Sequence, residues 1–234
     1  MAFERFKVLT FDVVGTLIDF EKGVLDSVRG LNPGASLTDD AIFGPYVEGR
    51  DLYPGRSSEA MGDVYKHLAE KLGLDAGEGA AAAFQGKMLR HPAFSDSVEA
   101  LKRLRARFRL VAMTNADRVA FSSYAHTLGS PFHDSVTADE TGVPKPDPSF
   151  FFYNLGRQSA HGFRQEEILH VAQSQYHDIG VARDLGYSVC WIQRRMGQDG
   201  FGGSPVPKTV TKPDFHFATL AELADAIDAD LGPR

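Results

Sequence analysis

An aspartate stands at the end of an apolar run near the start of the chain, and a glycine and a threonine follow it. Residues 6–17 read FKVLTFDVVGTL, and the part before Asp12 is typical of a short buried parallel strand. A carboxylate there is costly unless it is paired or used, and ligands of open α/β sheets bind at this end of the strands. Gly15 permits a sharp turn or a close approach to a ligand, and Thr16 adds a hydroxyl. From this stretch alone, Asp12 could equally cap the following turn.

Three more groups of polar residues follow apolar runs or stand in loops later in the chain. They are Thr114 and Asn115 after LVAM, Lys145 in VPKPDP, and Gln173, Ser174 and Asp178 after LHVA. Each group is weak evidence alone, because such residues are common in caps and turns. The carboxyl ends of parallel strands meet at one edge of a sheet, so we expect these groups to form one site with Asp12.

The elements that must position these residues alternate between helix and strand. After the first strand, apolar runs predict strands at 109–113, 133–137, 168–172 and 188–192 and an edge strand at 215–217, with helices between them. This alternation predicts an α/β fold whose core is a doubly wound parallel sheet.

The segment between the first two strands does not follow this alternation of helix and strand. Residues 21–88 contain helical periodicity and no strand-like alternation, for example in the series Met61, Val64, Tyr65 and Leu68. We therefore expect a helical domain inserted after the first strand. The predicted division gives a core of residues 1–18 and 93–234 and an inserted domain of residues 19–92.

The composition limits the classes of function. The chain has 234 residues, 43% of them hydrophobic, which is enough for a substantial core. Its net charge of −6 argues against non-specific binding of nucleic acid. No apolar run approaches the ~18 residues that a membrane span requires. The single cysteine, Cys190, cannot form an internal disulfide, so we expect a cytoplasmic protein.

Taken in this order, the residues resemble the motifs of the haloacid dehalogenase superfamily of hydrolases over essentially the whole chain. Residues 12–16, DVVGT, are similar to the first motif, whose aspartate is a covalent nucleophile, while the others match the second to fourth motifs. The resemblance implies a Rossmann-like core and identifies the helical insert as a cap domain. The catalytic residues that it implies are Asp12, Thr16, Thr114, Lys145 and Asp178.

Val14 departs from the pattern of the superfamily's phosphatases, which usually carry a second aspartate at this position. That aspartate protonates a leaving alkoxide, and general acid catalysis is typically worth about 10²–10⁴-fold in rate. A halide is a weak base and leaves without a proton. Val14 therefore favours attack on a carbon that bears a good leaving group, as in the 2-haloacid dehalogenases that the sequence resembles, although those usually have an aromatic residue there.

Gln173 is a second departure, because phosphatases usually place a magnesium-binding aspartate at this position. Magnesium prefers oxygen ligands with carboxylate charge. Asp12, the carbonyl of Val14 and Asp178 would supply only a depleted site. We therefore predict no cofactor and no metal, with Mg²⁺ as the alternative.

The predicted reaction begins with attack of Asp12 on the halogen-bearing carbon of a small 2-haloacid, which forms an ester. Lys145 keeps Asp12 ionised, and Asp178 helps activate the water that hydrolyses the ester. Candidate substrate-binding residues are Val14, Asn115 and Ser174 at the strand ends, and Arg50 and Arg56 for the substrate carboxylate, with Arg118 as a third arginine. His177 adjoins Asp178 and can reach the site or lie in a solvated loop.

Three other functions stay open at this point. They are a Mg²⁺-dependent phosphatase of small molecules, a hydrolase that opens a strained or activated ring through the same aspartyl ester, and a binding module that has lost activity. The partners we expect are a small-molecule substrate, with no nucleic acid and no membrane. Related dehalogenases commonly form homodimers through the cap, but no residue of this sequence requires one.

Overall fold

A computed structural model describes residues 2–232, and its centre is a parallel sheet of six strands. The strands are β1 (Val8–Phe11), β2 (Arg109–Thr114), β3 (Asp134–Thr137), β4 (Ile168–Ala172), β5 (Ser188–Ile192) and β6 (Phe215–Phe217). Their order is β3-β2-β1-β4-β5-β6, and every neighbouring pair is parallel. The chain first builds outward from β1 to β3 and then returns to β4, so the strand order reverses beside β1, where open sheets bind ligands.

Four helices lie between β1 and the rest of the core and form the predicted cap. They are α1 (Phe20–Leu31), α2 (Asp39–Leu52), α3 (Ser57–Leu72) and α4 (Glu78–Met88). Their apolar faces meet in a core of their own, in which the rings of Tyr65 and Phe84 stack with centroids 4.9 Å apart. Burial of these faces against one another, rather than against the sheet, makes the insert a separate layer.

The remaining helices cover both faces of the sheet. They are α5 (Ser97–Arg105), α6 (Arg118–Thr127), α7 (Ala138–Thr141), α8 (Pro148–Ala160), α9 (Gly180–Asp184) and α10 (Leu220–Leu231). Leu9 and Phe11 of β1 pack on the face covered by α5, α6 and α10, and Val8 packs on the face covered by α8 and α9. The predicted doubly wound α/β core with an inserted helical cap is confirmed. No helix in residues 2–232 is long and apolar enough to cross a membrane.

The two chain crossings between sheet and cap run side by side. Ile18 forms an antiparallel bridge with Ala93, and the N–H of Asp19 donates to the carbonyl of Pro92 at 2.8 Å. The two crossings lie where the limits of the insert were predicted, at 18/19 and 92/93. That these positions are domain boundaries stays a prediction.

Local hydrogen bonds set where two of the helices begin. Helix α4 begins at Glu78, because the Asp75 carboxylate accepts the N–H of Gly77 at 2.8 Å and holds a turn there. Helix α9 is preceded by a π-helical turn over 175–179, which Ser174 caps by accepting the N–H of His177 at 2.9 Å. This wider turn places Asp178 inside the protein next to the end of β4.

Candidate active site

An ammonium group and two carboxylates form the centre of the site. Lys145 Nζ lies 2.9 Å from Asp12 Oδ1 and 2.6 Å from Asp178 Oδ1, and it donates to the carbonyl of Met113 at 2.8 Å. Asp12, Lys145 and Asp178 are 7%, 2% and 1% exposed. We call these three residues the ionic floor, and its formal charge is −1 when all three are ionised.

The two carboxylates of the ionic floor respond differently to the same burial. Burial raises the pKa of Asp12, and the opposing charge of Lys145 only partly offsets this effect. Burial also acts to raise the pKa of Asp178, but Lys145 and a hydrogen bond with His170 outweigh it and lower this pKa to about 2. The two carboxylates raise the pKa of Lys145 despite its burial. Lys145 therefore stays protonated, and Asp178 is the firmly ionised partner.

The turn after β1 orients the carboxylate of Asp12. Thr16 Oγ1 donates to Asp12 Oδ2 at 2.7 Å and accepts the N–H of Gln173 at 2.8 Å, so it ties the ends of β1 and β4 together. Gly15 has φ +94°, and a Cβ at this position would lie 3.3 Å from the ring of Phe20. A side chain would be strained in this conformation, which explains the glycine.

The side-chain amide of Asn115 forms two hydrogen bonds with the backbone of Lys145, an arrangement that we call the amide clamp. Asn115 Nδ2 donates to the carbonyl of Lys145 at 2.9 Å, and its Oδ1 accepts the N–H of Lys145 at 2.7 Å. Asn115 follows β2, so the clamp fixes the loop after α7 against the end of that strand. Thr114, which ends β2, accepts the N–H of Ala116 at 3.1 Å.

His170 is a buried member of the site that sequence reasoning missed. Its Nε2 lies 3.0 Å from Asp178 Oδ1 and its Nδ1 lies 2.9 Å from Thr10 Oγ1, and it is fully buried. Thr10 and His170 are register partners on β1 and β4. The sequence signal for this pair was one polar residue in each of two otherwise apolar strands.

A cavity of about 260 Å³ opens above the ionic floor and beneath the cap. Val14, Thr114, Asn115 and Ser174 line its core side together with the floor, as does His177. The structure therefore brings these predicted residues together around one space. Thr16 is fully buried beneath Asp12 and does not line this cavity.

The cap and the adjoining crossing close the other side of the cavity. We use the name cap wall for Tyr46, Arg50, Met61, Met88 and His91. Phe20, Val47, Asp51 and Ser57 of the cap also line the cavity on this side. Arg50 Nη1 lies 3.6 Å from the sulfur of Met61. His91 is 2% exposed, burial lowers its pKa to about 4, and its Nδ1 has no hydrogen-bond partner within residues 2–232. The sequence pattern did not single out His91.

Arg56 and Arg118, the other two arginines predicted to bind a carboxylate, lie outside the cavity. Arg56 pairs with Asp139 at 3.1 Å and Glu59 at 3.4 Å. Arg118 pairs with Glu140 at 2.6 Å. Because both guanidinium groups have acidic partners at the surface, Arg50 is the predicted arginine that the fold brings to the site.

Two contacts hold the cap and a core loop over the cavity. Asp117 Oδ2, at the start of α6, accepts the N–H of Ser58 in α3 at 2.7 Å. Glu21 Oε1, at the start of α1, accepts the N–H of Gly203 at 2.8 Å. Gly203 and its neighbour Ser204 line the cavity, and the sequence pattern did not single them out.

Gln173 is linked to the floor through Thr16, which accepts its N–H, but it does not line the cavity. Its Oε1 accepts the hydroxyl of Ser204 at 3.2 Å, and its carbonyl accepts the indole N–H of Trp191 at 2.8 Å. Asp12 and Asp178 are therefore the carboxylates at the centre, and each has an oxygen bonded to Lys145. In the described part of the chain, no group of three or more His, Cys, Asp and Glu side chains could hold a metal ion.

Comparison with known proteins finds relatives over nearly the whole chain. Residues 6–186 match the family model for haloacid dehalogenase-like hydrolases. Haloacetate dehalogenase H-2 of Moraxella sp. (strain B) is 27% identical, covering 96% of this chain and 99% of the relative. An (S)-2-haloacid dehalogenase of Pseudomonas putida is 24% identical, covering 81% and 85%. The crystal structure of the L-2-haloacid dehalogenase PA0810 aligns with a TM-score of 0.76 at 22% identity, covering 96% of this chain and 99% of that one.

Proposed function

Because the chain belongs to the haloacid dehalogenase-like hydrolases, we propose that it hydrolyses the carbon–halogen bond of a small 2-haloacid. The observation that carries this proposal is a buried carboxylate, Asp12, held by Lys145 beside a residue that has no proton to give, Val14. The names of the relatives, a haloacetate dehalogenase and an (S)-2-haloacid dehalogenase, support the same substrate class.

Asp12 is the proposed nucleophile. Its Oδ1 is bonded to Lys145 and its Oδ2 to Thr16, so both oxygens are fixed, and Asp12 lines the cavity. Attack of a carboxylate oxygen on the halogen-bearing carbon forms an ester and releases halide. Alignment of nucleophile and substrate in this way can contribute up to about 7–11 kcal/mol to lowering the barrier.

Val14 sets the kind of leaving group. It lines the cavity two residues after the nucleophile, and its side chain can neither donate nor accept a proton. A halide leaves as a stable anion, so this first step needs no acid. A phosphate ester with an alkoxide leaving group would need one at this position, which makes a phosphatase the weaker candidate.

Asp178 and Arg50 have supporting roles in the proposed reaction. Asp178 is ionised and buried, and it orients the water that hydrolyses the ester. Arg50 lines the cavity, where a guanidinium can bind the carboxylate of a 2-haloacid in bidentate fashion. Thr114, Asn115 and Ser174 complete the polar side of the binding space.

We propose that the reaction needs no metal. Magnesium would require several charged oxygen ligands, but Asp12 and Asp178 are already bonded to Lys145, and Gln173 offers only an amide that is bonded to Ser204. The residues present therefore do not fit a magnesium site, and no step of the reaction is assigned to a metal.

Halide release from chloroacetate and 2-chloropropanoate, measured with EDTA present, tests the proposal. We expect release by the unmodified protein and a loss of at least about 10⁴-fold in Asp12→Asn, because an amide does not replace the nucleophile. Release that requires Mg²⁺, or that persists in Asp12→Asn, would contradict it. If halide is not released, phosphate release from a generic ester and hydrolysis of activated rings would identify the remaining alternatives.

A further inference from the structure

Hydrolysis of the aspartyl ester requires a proton transfer that the residues assigned so far do not provide. This step rests on the proposed function. Water must lose a proton as it attacks, and the departing group is the alkoxide of a 2-hydroxyacid, which must gain one. Val14 occupies the position from which an acid would act on a leaving alkoxide. The halide therefore leaves unaided, whereas the second half of the reaction needs an acid–base group elsewhere in the cavity.

The ionic floor is poorly suited to this transfer. Asp178 Oδ1 is bonded to Lys145 at 2.6 Å and to His170 at 3.0 Å, and such a stabilised carboxylate is a weak base. Lys145 makes three hydrogen bonds, to Asp12, Asp178 and the carbonyl of Met113, which use all of its protons. Asp12 itself is the esterified group during this step.

His177 lines the same cavity and directly precedes Asp178. Its two hydrogen bonds both go to Ser174: the backbone N–H donates to Ser174 Oγ at 2.9 Å, and Nδ1 lies 3.2 Å from the same oxygen. In the tautomer protonated at Nδ1, this N–H donates a hydrogen bond to Ser174 Oγ. The lone pair of Nε2 is then free, because Nε2 has no protein partner among the described residues.

We propose that His177 is the catalytic acid–base residue of ester hydrolysis. Its Nε2 removes a proton from water as the water oxygen bonds to the carboxyl carbon of esterified Asp12. When the carbon–oxygen bond to the product breaks, the imidazolium returns this proton to the product alkoxide, which leaves as a 2-hydroxyacid. Asp12 is left as a carboxylic acid and releases its proton to solvent, so the whole reaction yields halide, one proton and the hydroxyacid.

The charges around His177 are compatible with this role. Asp178 and Asp12 favour the protonated imidazole, whereas Lys145 and Arg50 oppose it, and burial lowers its pKa below the usual value. The resting ring is therefore neutral near neutral pH and able to accept a proton. The Asp178 carboxylate, which stays ionised while Asp12 is esterified, stabilises the imidazolium that forms.

Pre-steady-state kinetics of His177→Asn, with 2-chloropropanoate in molar excess over the protein, tests the assignment. We expect about one equivalent of halide to be released at nearly the unmodified rate, followed by steady turnover reduced about 10²–10⁴-fold. Intact-protein mass spectrometry should then detect an ester that accumulates on the peptide containing Asp12. Added imidazole should accelerate its hydrolysis in His177→Gly.

Tyr176→Phe is the matched control, because Tyr176 is the neighbouring aromatic residue, is 41% exposed and does not line the cavity. It should retain unmodified burst and steady-state rates. Ester hydrolysis at the unmodified rate in His177→Asn would overturn the assignment. So would a slowed halide burst without ester accumulation, since it would place His177 in the first step or in folding. If the unmodified protein releases no halide at all, the proposed function fails and this assignment fails with it.

Discussion

The two sides of the cavity differ in how completely their polar groups are bonded. In the ionic floor every charged group has a partner at 2.6–2.9 Å, and Thr16 and Asn115 fix the backbone turns that carry it. In the cap wall, Arg50 contacts a thioether sulfur, and His91 keeps one ring nitrogen unbonded within residues 2–232. The floor is organised before substrate binds, whereas the wall has polar groups left for the substrate.

In the proposed mechanism, the floor carries out the reaction and the wall selects the substrate. Preorganised charges lower the barrier because they need not reorient during the reaction. The cap wall, built mainly from Tyr46, Met61 and Met88, offers adaptable apolar contacts and one cation for a carboxylate. We expect changes in the floor to alter kcat and folding stability, and changes in the wall to alter KM.

Among the substitutions that compare the floor with the wall, Lys145→Met should have the largest effect, because it removes the only cation of the ionic floor and leaves two buried carboxylates facing each other. We expect kcat/KM to fall about 10²–10³-fold and the free energy of unfolding to fall by about 3–5 kcal/mol. Halide release and urea denaturation measure the two effects. A variant with unchanged stability would show that the ion cluster is not held as described.

Arg50→Met should act on binding. Loss of a charge-assisted hydrogen bond to the substrate carboxylate should raise KM about 10- to 100-fold with a smaller change in kcat. Arg56→Met is the matched control, since Arg56 lies six residues further on and pairs with Glu59 and Asp139 outside the cavity. Equal effects of the two substitutions on KM would contradict the assignment of Arg50.

Gly23→Ala and Gly30→Ala compare two positions of α1 by thermal or urea unfolding. A Cβ on Gly23 would lie 2.5 Å from the buried ring of His91, so we expect a loss of about 1–3 kcal/mol. A Cβ on Gly30 would meet no atom within 4 Å, and the better helix propensity of alanine should add about 0.5–1 kcal/mol. Stabilisation by both substitutions would mean that α1 does not pack on His91.

Thr16→Val should change the pH dependence of the first step. The hydrogen bond from Thr16 lowers the pKa of Asp12, so its loss should raise that pKa further. Because Asp12 must be ionised to attack, the acid limb of kcat/KM should move to higher pH, with a loss of about tenfold below neutrality. Thr16→Ser keeps the hydroxyl and should retain the unmodified profile. A shift of the limb to lower pH in Thr16→Val would contradict this account.

The parts of the fold and site that the sequence predicted depend on local patterns. Apolar runs identified the strands, and the polar residues that follow them placed Asp12 and Asp178 at one edge, because parallel strands deliver such ends there. Lys145 stands in a loop after α7, and the resemblance of its VPKPDP context indicated its role. The helical insert was equally predictable, since its periodicity differs from that of the strands.

The parts that were missed depend on contacts between distant segments. His170 pairs with a carboxylate eight residues away only because a π-helical turn folds Asp178 back toward the sheet. The choice among Arg50, Arg56 and Arg118 depended on which acidic groups lie nearby in three dimensions. The approach of His91 to Gly23 depends on how the two crossings between core and cap lie side by side, which no local pattern encodes.

Hydrolysis in heavy-oxygen water tests the central claim, that Asp12 forms a covalent ester, most directly. The protein is mixed in molar excess with 2-chloropropanoate in water labelled with oxygen-18, and the peptide containing Asp12 and the product are analysed by mass spectrometry. If water attacks the ester at the carboxyl carbon of Asp12, the label from this first turnover enters Asp12 and the product stays unlabelled. Label found in the product and absent from Asp12 would mean that water attacks the substrate carbon directly, and the proposed mechanism would be wrong.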